Sequence, residues 1–333
     1  MTLQILILLA GLALIIFGAD WLVDGAGAIA RKAGVSEFVI GLTIVGFGTS
    51  CPELVVSLTG ALQGNADVSI GNVVGSNIFN SMLILGLTAL LMPVPVTPSN
   101  KKRDIPVMLL VTFLLAFCGM SRTFFGLGAA DDLSRAEGIV FLLLFALYMV
   151  MSFRNDEGPA EAGAAKADAA AKAAVEAAET KAIGVWGGIG LTLAGLAALI
   201  FGGQLFVNSA TWIARAVGVS DKFIAVTLLA GGTSFPELAT CVVAAIKKKG
   251  QLALGNILGS NVFNILLILG CSATVTPLSL AGMTVVDIVA LLASAALIWL
   301  SSYTFKKDKI DRYEGAIFLL VFAAYYFWLF TRL

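Results

Sequence analysis

Ten apolar stretches separated by short polar segments make up most of this 333-residue chain. They run over residues 3–29, 37–62, 68–92, 104–121, 135–153, 183–213, 221–246, 251–275, 284–303 and 313–331. Most reach the ~20 residues that an α-helix needs to cross a bilayer. The pattern therefore predicts an all-α membrane protein with ten transmembrane helices. The first stretch lacks a basic leading region and is too long for a cleavable signal peptide, so we interpret it as a spanning helix.

The chain also contains an internal duplication. Residues 11–88 align with 195–272 at a constant offset, with 34 identities in 78 positions. The first copy reads GTSCPE at 48–53 and GNVVGSNIFN at 71–80, and the second reads GTSFPE at 232–237 and GNILGSNVFN at 255–264. A later match, between EGIVFLLLFALY at 137–148 and EGAIFLLVFAAY at 314–325, extends each copy to five spans. An odd number of spans makes the two copies enter the membrane from opposite sides, so we expect inverted five-helix repeats.

Lysine and arginine indicate the orientation of these repeats. Loops on one side carry 16 of the 21 basic residues and loops on the other side carry five. Because cytoplasmic loops are enriched in Lys and Arg, we expect both termini outside and the central loop in the cytoplasm. The predicted location is a prokaryotic plasma (inner) membrane.

Three parts follow from this organisation: a first repeat over 1–153, a linker over 154–182, and a second repeat over 183–333. The linker is rich in alanine and in charges of both signs, and we expect a tether without a fold of its own. We expect the protein to be a monomer.

Composition narrows the chemistry further. Hydrophobic residues make up 59% of the chain and charged ones 13%, against about 25% charged in soluble domains, and the mean hydropathy is +0.96. The net charge of zero argues against a nucleic-acid partner. The absence of histidine excludes imidazole metal ligands and a histidine proton relay. We expect the four cysteines to be small buried residues without disulfide or metal partners: Cys51, Cys118, Cys241 and Cys271.

Two acidic residues lie deep inside apolar stretches, and they occupy equivalent positions of the two copies. Glu53 corresponds to Glu237. A lone charge at the bilayer centre costs about 2.5–3.5 kcal/mol on insertion scales, so a divalent cation or protons must compensate the pair. We expect Thr49 and Ser50 to share a helix face with Glu53, and Thr233 and Ser234 to do the same for Glu237.

Proline and glycine next to each acid predict a broken helix. Pro52 and Pro236 cannot donate a backbone hydrogen bond, which frees carbonyls about four residues earlier. Unwound backbone at membrane depth is tolerated where it lines a cavity, and its carbonyls can coordinate cations. We therefore expect freed carbonyls near Gly48 and Gly232.

The second motif of each copy places polar residues on one helix face. For Ser76 and Asn80, and for their counterparts Ser260 and Asn264, we favour cation ligation. For Asn72, Asn77, Asn256 and Asn261 we expect hydrogen bonds between helices, and for the motif glycines close helix packing. The combined set of ligands is oxygen only, which suits hard cations such as Ca²⁺ and Na⁺.

These paired motifs resemble the cation/calcium exchanger superfamily, and within it the prokaryotic sodium/calcium antiporters. The resemblance implies the exchanger fold, a central site between spans 2, 3, 7 and 8, and exchange of Ca²⁺ for Na⁺ by alternating access, with no cofactor and no enzymatic activity. It implies Ca²⁺ ligation by Glu53 and Glu237 with Thr49 and Thr233. For Na⁺ it implies Ser50, Ser76, Asn80, Ser234, Ser260, Asn264, and backbone at Gly46 and Ala230. Some relatives carry aspartate where this chain has Asn264, and the amide argues against K⁺ co-transport.

Three alternatives remain. A Ca²⁺/H⁺ antiporter of the same superfamily is the nearest, since buried carboxylates also bind protons. The hydroxyls beside both glutamates favour Na⁺. A passive cation channel is disfavoured because paired acids hold a divalent ion too firmly for rapid passage. An intramembrane hydrolase using Ser50 or Ser234 lacks a neighbouring histidine or lysine base.

Overall fold

The computed structural model describes residues 1–127, 130–154, 156, 183–218, 231–304 and 308–332. Each of the ten predicted spans contains a helix in these ranges. The bounds are α1 Thr2–Ala33, α2 Glu37–Thr49 followed by Cys51–Leu62, α3 Ala66–Leu91, α4 Ile105–Gly119, α5 Arg135–Arg154, α6 Val185–Ala216, α7 Phe235–Ile246, α8 Gly250–Val275, α9 Val285–Ser301 and α10 Arg312–Arg332. For α7, the predicted segment 221–230 lies outside the described residues, as does most of the linker 154–182.

Helix α2 is broken in its middle, as its proline and glycines predict. The two halves meet at Ser50 with a bend of 48°. Pro52 lies in the first turn of the second half, where its missing N–H would have no intrahelical partner. Helix α7 begins in the same way, with Pro236 in its first turn. A helix N-terminus therefore lies directly before the motif glutamate in each repeat.

Helices α3 and α8 each widen into a π-helical turn at the same point of the repeat. The wide turns cover Phe79–Ile84 in α3 and Phe263–Leu269 in α8. Wide turns of this kind are frequent at functional sites because they shift the side chains that follow. Here they include Asn80 and Asn264, the last polar residues of the two duplicated motifs.

The two small sheets test the inversion of the repeats. Strand β1 (Val94–Pro95), between α3 and α4, pairs with β4 (Lys309–Ile310), between α9 and α10. Strand β2 (Asp132–Leu133), between α4 and α5, pairs with β3 (Leu278–Ser279), between α8 and α9. Each pair joins the third loop of one repeat to the fourth loop of the other. Those loops share a side of the membrane only if the repeats have opposite orientation, so the pairing agrees with the predicted inversion.

The centre of the molecule is formed by the third helix of each repeat. In the most apolar stretch of α8, 94% of residues are buried, and 78% in α3, against 22% in α1. Gly255 and Gly259 of α8 lie directly against the backbone of α2, where an added Cβ would come within 2.3 Å of Phe38 O or Leu42 O. This close approach carries the polar face of α8 to the break in α2.

Helices α1 and α6 form a second, more peripheral unit. They run antiparallel, and glycines spaced by seven residues face each other across the contact: Gly11 with Gly202, Gly18 with Gly195, and Gly25 with Gly188. An added Cβ at Gly18 would lie 2.9 Å from Gly195 O, so the two backbones nearly touch. Small residues at regular spacing permit such packing in a bilayer.

The cysteines follow the sequence prediction in part. All four are free thiols. Cys241 is buried between α7 and α8, whereas Cys51, Cys118 and Cys271 are partly exposed, contrary to the expectation that all would be buried. Neighbouring helices therefore cover these three side chains only in part.

Candidate cation-binding site

Both glutamates of the duplicated motif lie in the first turn of a helix in the interior of the molecule. Glu53 is in the first turn of the second half of α2, and Glu237 is in the first turn of α7. They are 1% and 0% exposed. A helix N-terminus carries a partial positive charge, which favours a carboxylate at this position. The two helix N-termini thus stabilise the two buried acids.

Each carboxylate accepts hydrogen bonds from serines of both repeats. Glu237 Oε1 accepts from Ser50 Oγ at 3.0 Å and from Ser260 Oγ at 3.4 Å. In the mirrored arrangement, Glu53 Oε1 accepts from Ser234 Oγ at 3.1 Å and from Ser76 Oγ at 3.4 Å. The four serines predicted as ligands therefore meet the two acids in one cluster.

The pairing of hydroxyls and acids differs from the sequence prediction. Thr49 and Ser50 were expected to share a helix face with Glu53, but Ser50 bonds Glu237 and Thr49 lies beside that same carboxylate. The reason is the 48° bend at Ser50, because the i,i+4 relation holds only along a continuous helix. Thr233 and Ser234 likewise lie beside Glu53 rather than Glu237. The threonine and serine that precede each glutamate in the sequence therefore contact the glutamate of the other repeat.

Four buried side-chain oxygens of the duplicated motifs lack a hydrogen-bond donor. Across the described ranges, Glu53 Oε2, Glu237 Oε2, Asn80 Oδ1 and Asn264 Oδ1 have no hydrogen-bond partner. Leaving a buried polar atom unpaired costs about 1–3 kcal/mol, and more for a charged one. A cation bound among these oxygens would remove that cost. The residues present therefore fit a hard cation of the kind that the sequence predicted.

The remaining motif amides bond between helices, as expected. Asn72 Nδ2 donates to Glu53 O and to Ser57 Oγ, and its Oδ1 accepts from Thr233 Oγ1 at 3.3 Å. Asn256 Oδ1 accepts from Thr49 Oγ1 at 3.2 Å, and its amide lies 3.3 Å from Cys241 Sγ. These bonds connect Thr49 to α8 and Thr233 to α3.

The backbone candidates are only partly described. Gly46 O accepts from Ser50 N at 3.1 Å and is approached by Ser260 Oγ at 3.4 Å, so it lies at the contact of α2 with α8. Its counterpart Ala230 lies outside the described residues.

The sequence prediction missed one charged cluster. Asp20 and Asp24 lie within α1, which continues past them to Ala33. Lys247, which follows α7, contacts both carboxylates at 2.7 Å, and Lys249 Nζ lies 3.8 Å from Asp24 Oδ1. The signal was available in the sequence, since Asp20 and Asp24 are four residues apart and share a helix face.

The chain is similar to proteins named as sodium/calcium exchangers or antiporters. A family model described as sodium/calcium exchanger protein matches residues 3–154 and 187–331. A relative from Alkalimonas amylolytica, named as antiporter CaxA, is 39% identical over 326 residues, covering 97% of each chain. Sodium/calcium exchanger MaX1 of Methanosarcina acetivorans is 34% identical over 342 residues, again covering 97% of each. The solved structure of the sodium-calcium exchanger NCX_Mj matches with a TM-score of 0.80, at 33% identity over 97% of each chain.

Proposed function

The chain belongs to the sodium/calcium exchanger family, and we propose that it moves Ca²⁺ and Na⁺ in turn through the cluster around Glu53 and Glu237. The family, the exchanger fold and a Ca²⁺/Na⁺ antiport function were predicted from the paired motifs, and the comparisons confirm them. The relatives are transporters rather than enzymes. The assignment of individual residues to the ions is our proposal.

The observation that carries this assignment is the pair of unpaired carboxylate oxygens. Glu53 Oε2 and Glu237 Oε2 are both buried and lack hydrogen-bond donors among the described residues, while Oε1 of each acid is fixed by two serines. The two carboxylates carry the charge of one divalent cation. Ca²⁺ takes six to eight oxygen ligands at about 2.3–2.6 Å, and the surrounding hydroxyls and amides supply neutral ones. Glu53 and Glu237 with Thr49 and Thr233 would hold Ca²⁺.

Without Ca²⁺, the same cluster is a negative pocket that monovalent cations can neutralise. The hydroxyls of Ser50, Ser76, Ser234 and Ser260 and the amides of Asn80 and Asn264 would hold Na⁺, together with backbone at Gly46 and Ala230. Because either ion satisfies the same two charges, occupancy by one disfavours the other. Inverted repeats then expose the site to one side and the other, which couples the two fluxes.

Reconstitution of the full chain into proteoliposomes tests the proposal. Vesicles loaded with Na⁺ are diluted into Na⁺-free medium containing radioactive Ca²⁺, with a protonophore present to collapse any proton gradient. We expect Ca²⁺ uptake that stops when internal Na⁺ is replaced by choline. Uptake that requires a pH gradient and ignores Na⁺ would instead establish the Ca²⁺/H⁺ alternative.

We further propose a location in the prokaryotic inner membrane, with both termini outside and the linker 154–182 in the cytoplasm. The distribution of basic residues supports this orientation. The salt bridges of Lys247 and Lys249 with Asp20 and Asp24 lie at the end of the molecule that this orientation places in the cytoplasm. Labelling of single cysteines, placed at residue 64 or residue 248 in a cysteine-free chain, with a membrane-impermeant maleimide in intact cells tests it. We expect only the residue-64 variant to react. A monomer is proposed as the functional unit.

A further inference from the structure

The polar contacts between α3 and α8 break the two-fold relation of the repeats. The repeat offset pairs Asn77 with Asn261, Asn80 with Asn264, and Ser81 with Ile265. All six are at most 3% exposed. Equivalent asparagines in equivalent helices would be expected to make equivalent hydrogen bonds, but they do not.

On one side of this contact, the site amide is held in place. Asn264 Nδ2 donates to Asn77 Oδ1 at 2.9 Å, and Asn77 Nδ2 in turn donates to Asn261 O at 3.1 Å. With its nitrogen fixed, Asn264 keeps Oδ1 unpaired and in one orientation. Asn264 is therefore a pre-oriented ligand.

On the other side, the corresponding bonds are not formed. Asn261 Nδ2 does not bond the Asn77 backbone but donates to Ser81 Oγ at 2.8 Å and lies 3.6 Å from Met108 Sδ. Asn261 Oδ1, which would accept from Asn80 under the two-fold relation, has no partner in the described part of the chain. Asn80 has neither its nitrogen nor its oxygen paired there.

The asymmetry coincides with a residue that differs between the repeats. Ser81 offers a buried hydroxyl that turns the Asn261 amide toward it, whereas the equivalent Ile265 offers the Asn77 amide nothing. Asn77 therefore bonds the neighbouring backbone, and its own oxygen is left in reach of Asn264. In the other repeat, the serine takes up the amide that would have fixed Asn80.

We propose that Ser81 is a positioning residue that leaves Asn80 free to turn, so that the site has one fixed and one adjustable amide. This inference rests on the proposed function, since it assigns both amides to the transported cations. Binding costs free energy for each side chain that has to be ordered. An adjustable amide can meet cations of different coordination, at the cost of weaker binding of the ion that depends on it most. That ion is Na⁺, because Ca²⁺ is held mainly by the two carboxylates.

Removal of the Ser81 hydroxyl tests the proposal. In Ser81→Ala, the Asn261 amide can return to the Asn77 backbone and accept from Asn80 Nδ2, which pre-orients Asn80. Na⁺-driven Ca²⁺ uptake is measured in proteoliposomes as a function of each ion. We expect the half-saturating Na⁺ concentration to fall two- to fivefold, equivalent to about 0.4–1 kcal/mol at 1.4 kcal/mol per tenfold. We expect the KM for Ca²⁺ to change less than twofold. Ser81→Thr keeps the hydroxyl and should restore the wild-type Na⁺ dependence.

A matched variant in the other repeat gives the opposite expectation and does not depend on Ser81→Ala folding. Ile265→Thr gives the Asn77 amide a hydroxyl acceptor, so Asn264 should lose its fixed orientation and the half-saturating Na⁺ concentration should rise. Wild-type Na⁺ dependence in both Ser81→Ala and Ile265→Thr would overturn the inference while leaving the proposed function intact. A wild-type chain without Na⁺-driven Ca²⁺ uptake would overturn both.

Discussion

Ser50 Oγ donates a hydrogen bond at 3.0 Å to Glu237 Oε1, across 187 residues of sequence and from one repeat to the other. The reciprocal bond from Ser234 to Glu53 is 3.1 Å long. Each glutamate is thus oriented by a serine of the other repeat. Because both bonds join the two repeats, movement of one repeat against the other disturbs both. The geometry around Glu53 and Glu237 is therefore coupled to the relative position of the repeats.

This crossed pairing predicts a specific pattern of energetic coupling. A double-mutant cycle of Ser50→Ala with Glu237→Gln should show a coupling energy of about 1 kcal/mol or more in the free energy of unfolding, because a hydrogen bond to a charged group is worth about 1.5–3 kcal/mol. The measurement is denaturant unfolding in detergent micelles without Ca²⁺ or Na⁺.

The same serine with the acid of its own repeat provides the matched control. The cycle of Ser50→Ala with Glu53→Gln should give a coupling near zero, because these two side chains share no hydrogen bond in the structure. Stronger coupling within a repeat than between repeats would contradict the crossed geometry.

Neutralising either acid should abolish transport without unfolding the protein. Glu53→Gln and Glu237→Gln keep side-chain size but remove one of the two charges that match Ca²⁺, so we expect the initial rate of Ca²⁺ uptake to fall at least about a hundredfold. The melting temperature in cation-free detergent should stay the same or rise, because a buried charge at this depth is costly. Glu137→Gln, at the start of α5, controls for loss of a carboxylate elsewhere. Substantial Ca²⁺ uptake by either glutamate variant would show that these residues do not form the Ca²⁺ site.

Much of the fold could be predicted from the sequence because the duplication and the apolar stretches are long-range signals. The inverted arrangement followed from counting five spans per repeat, and the helix break at Ser50 from Pro52 and its glycines. The partner of Ser50 could not be predicted, since helix periodicity describes contacts within one helix and the bend redirects the side chain to another. The asymmetry at Ser81 was also hidden, because it depends on which of several buried acceptors an amide reaches.

The amide at Asn264 predicts independence from K⁺. One Ca²⁺ would neutralise the two carboxylates of the proposed site, and the Asn264 amide carries no further charge. We therefore expect Na⁺-driven Ca²⁺ uptake to change less than twofold when K⁺ is replaced by choline on both sides of the vesicle. In Asn264→Asp, a third carboxylate adds a negative charge that another monovalent cation can neutralise. We therefore expect added K⁺ to stimulate Ca²⁺ uptake by this variant. A wild-type chain that needs K⁺ would show that a charge outside this cluster takes part.

The salt bridges of Lys247 join α1 to the loop between α7 and α8, and we predict that they stabilise the folded protein. The Lys247 ammonium lies 2.7 Å from both Asp20 and Asp24, whose side chains are 47% and 37% exposed. In Lys247→Met the two carboxylates are left to repel each other, and we expect the free energy of unfolding to fall by about 1 kcal/mol. Adding Asp20→Asn should recover part of the loss. Unchanged stability of Lys247→Met would show that these contacts do not stabilise the protein. We expect the relative affinities for Na⁺ and Ca²⁺ to stay the same in both variants.

The glycine contact between α1 and α6 predicts opposite effects for two substitutions in one helix. A Cβ at Gly195 would lie 2.6 Å from Leu22 N and 2.7 Å from Gly18 O, both backbone atoms of α1. Gly195→Ala should therefore push the helices apart and destabilise the protein by about 1–3 kcal/mol. At Gly190, five residues earlier, an added Cβ meets no described atom within 4 Å. Gly190→Ala should be neutral or stabilising by up to about 1 kcal/mol, since alanine favours the helix. Thermal unfolding of both variants in detergent measures the difference, and equal melting temperatures would mean that α1 and α6 can separate without loss of stability.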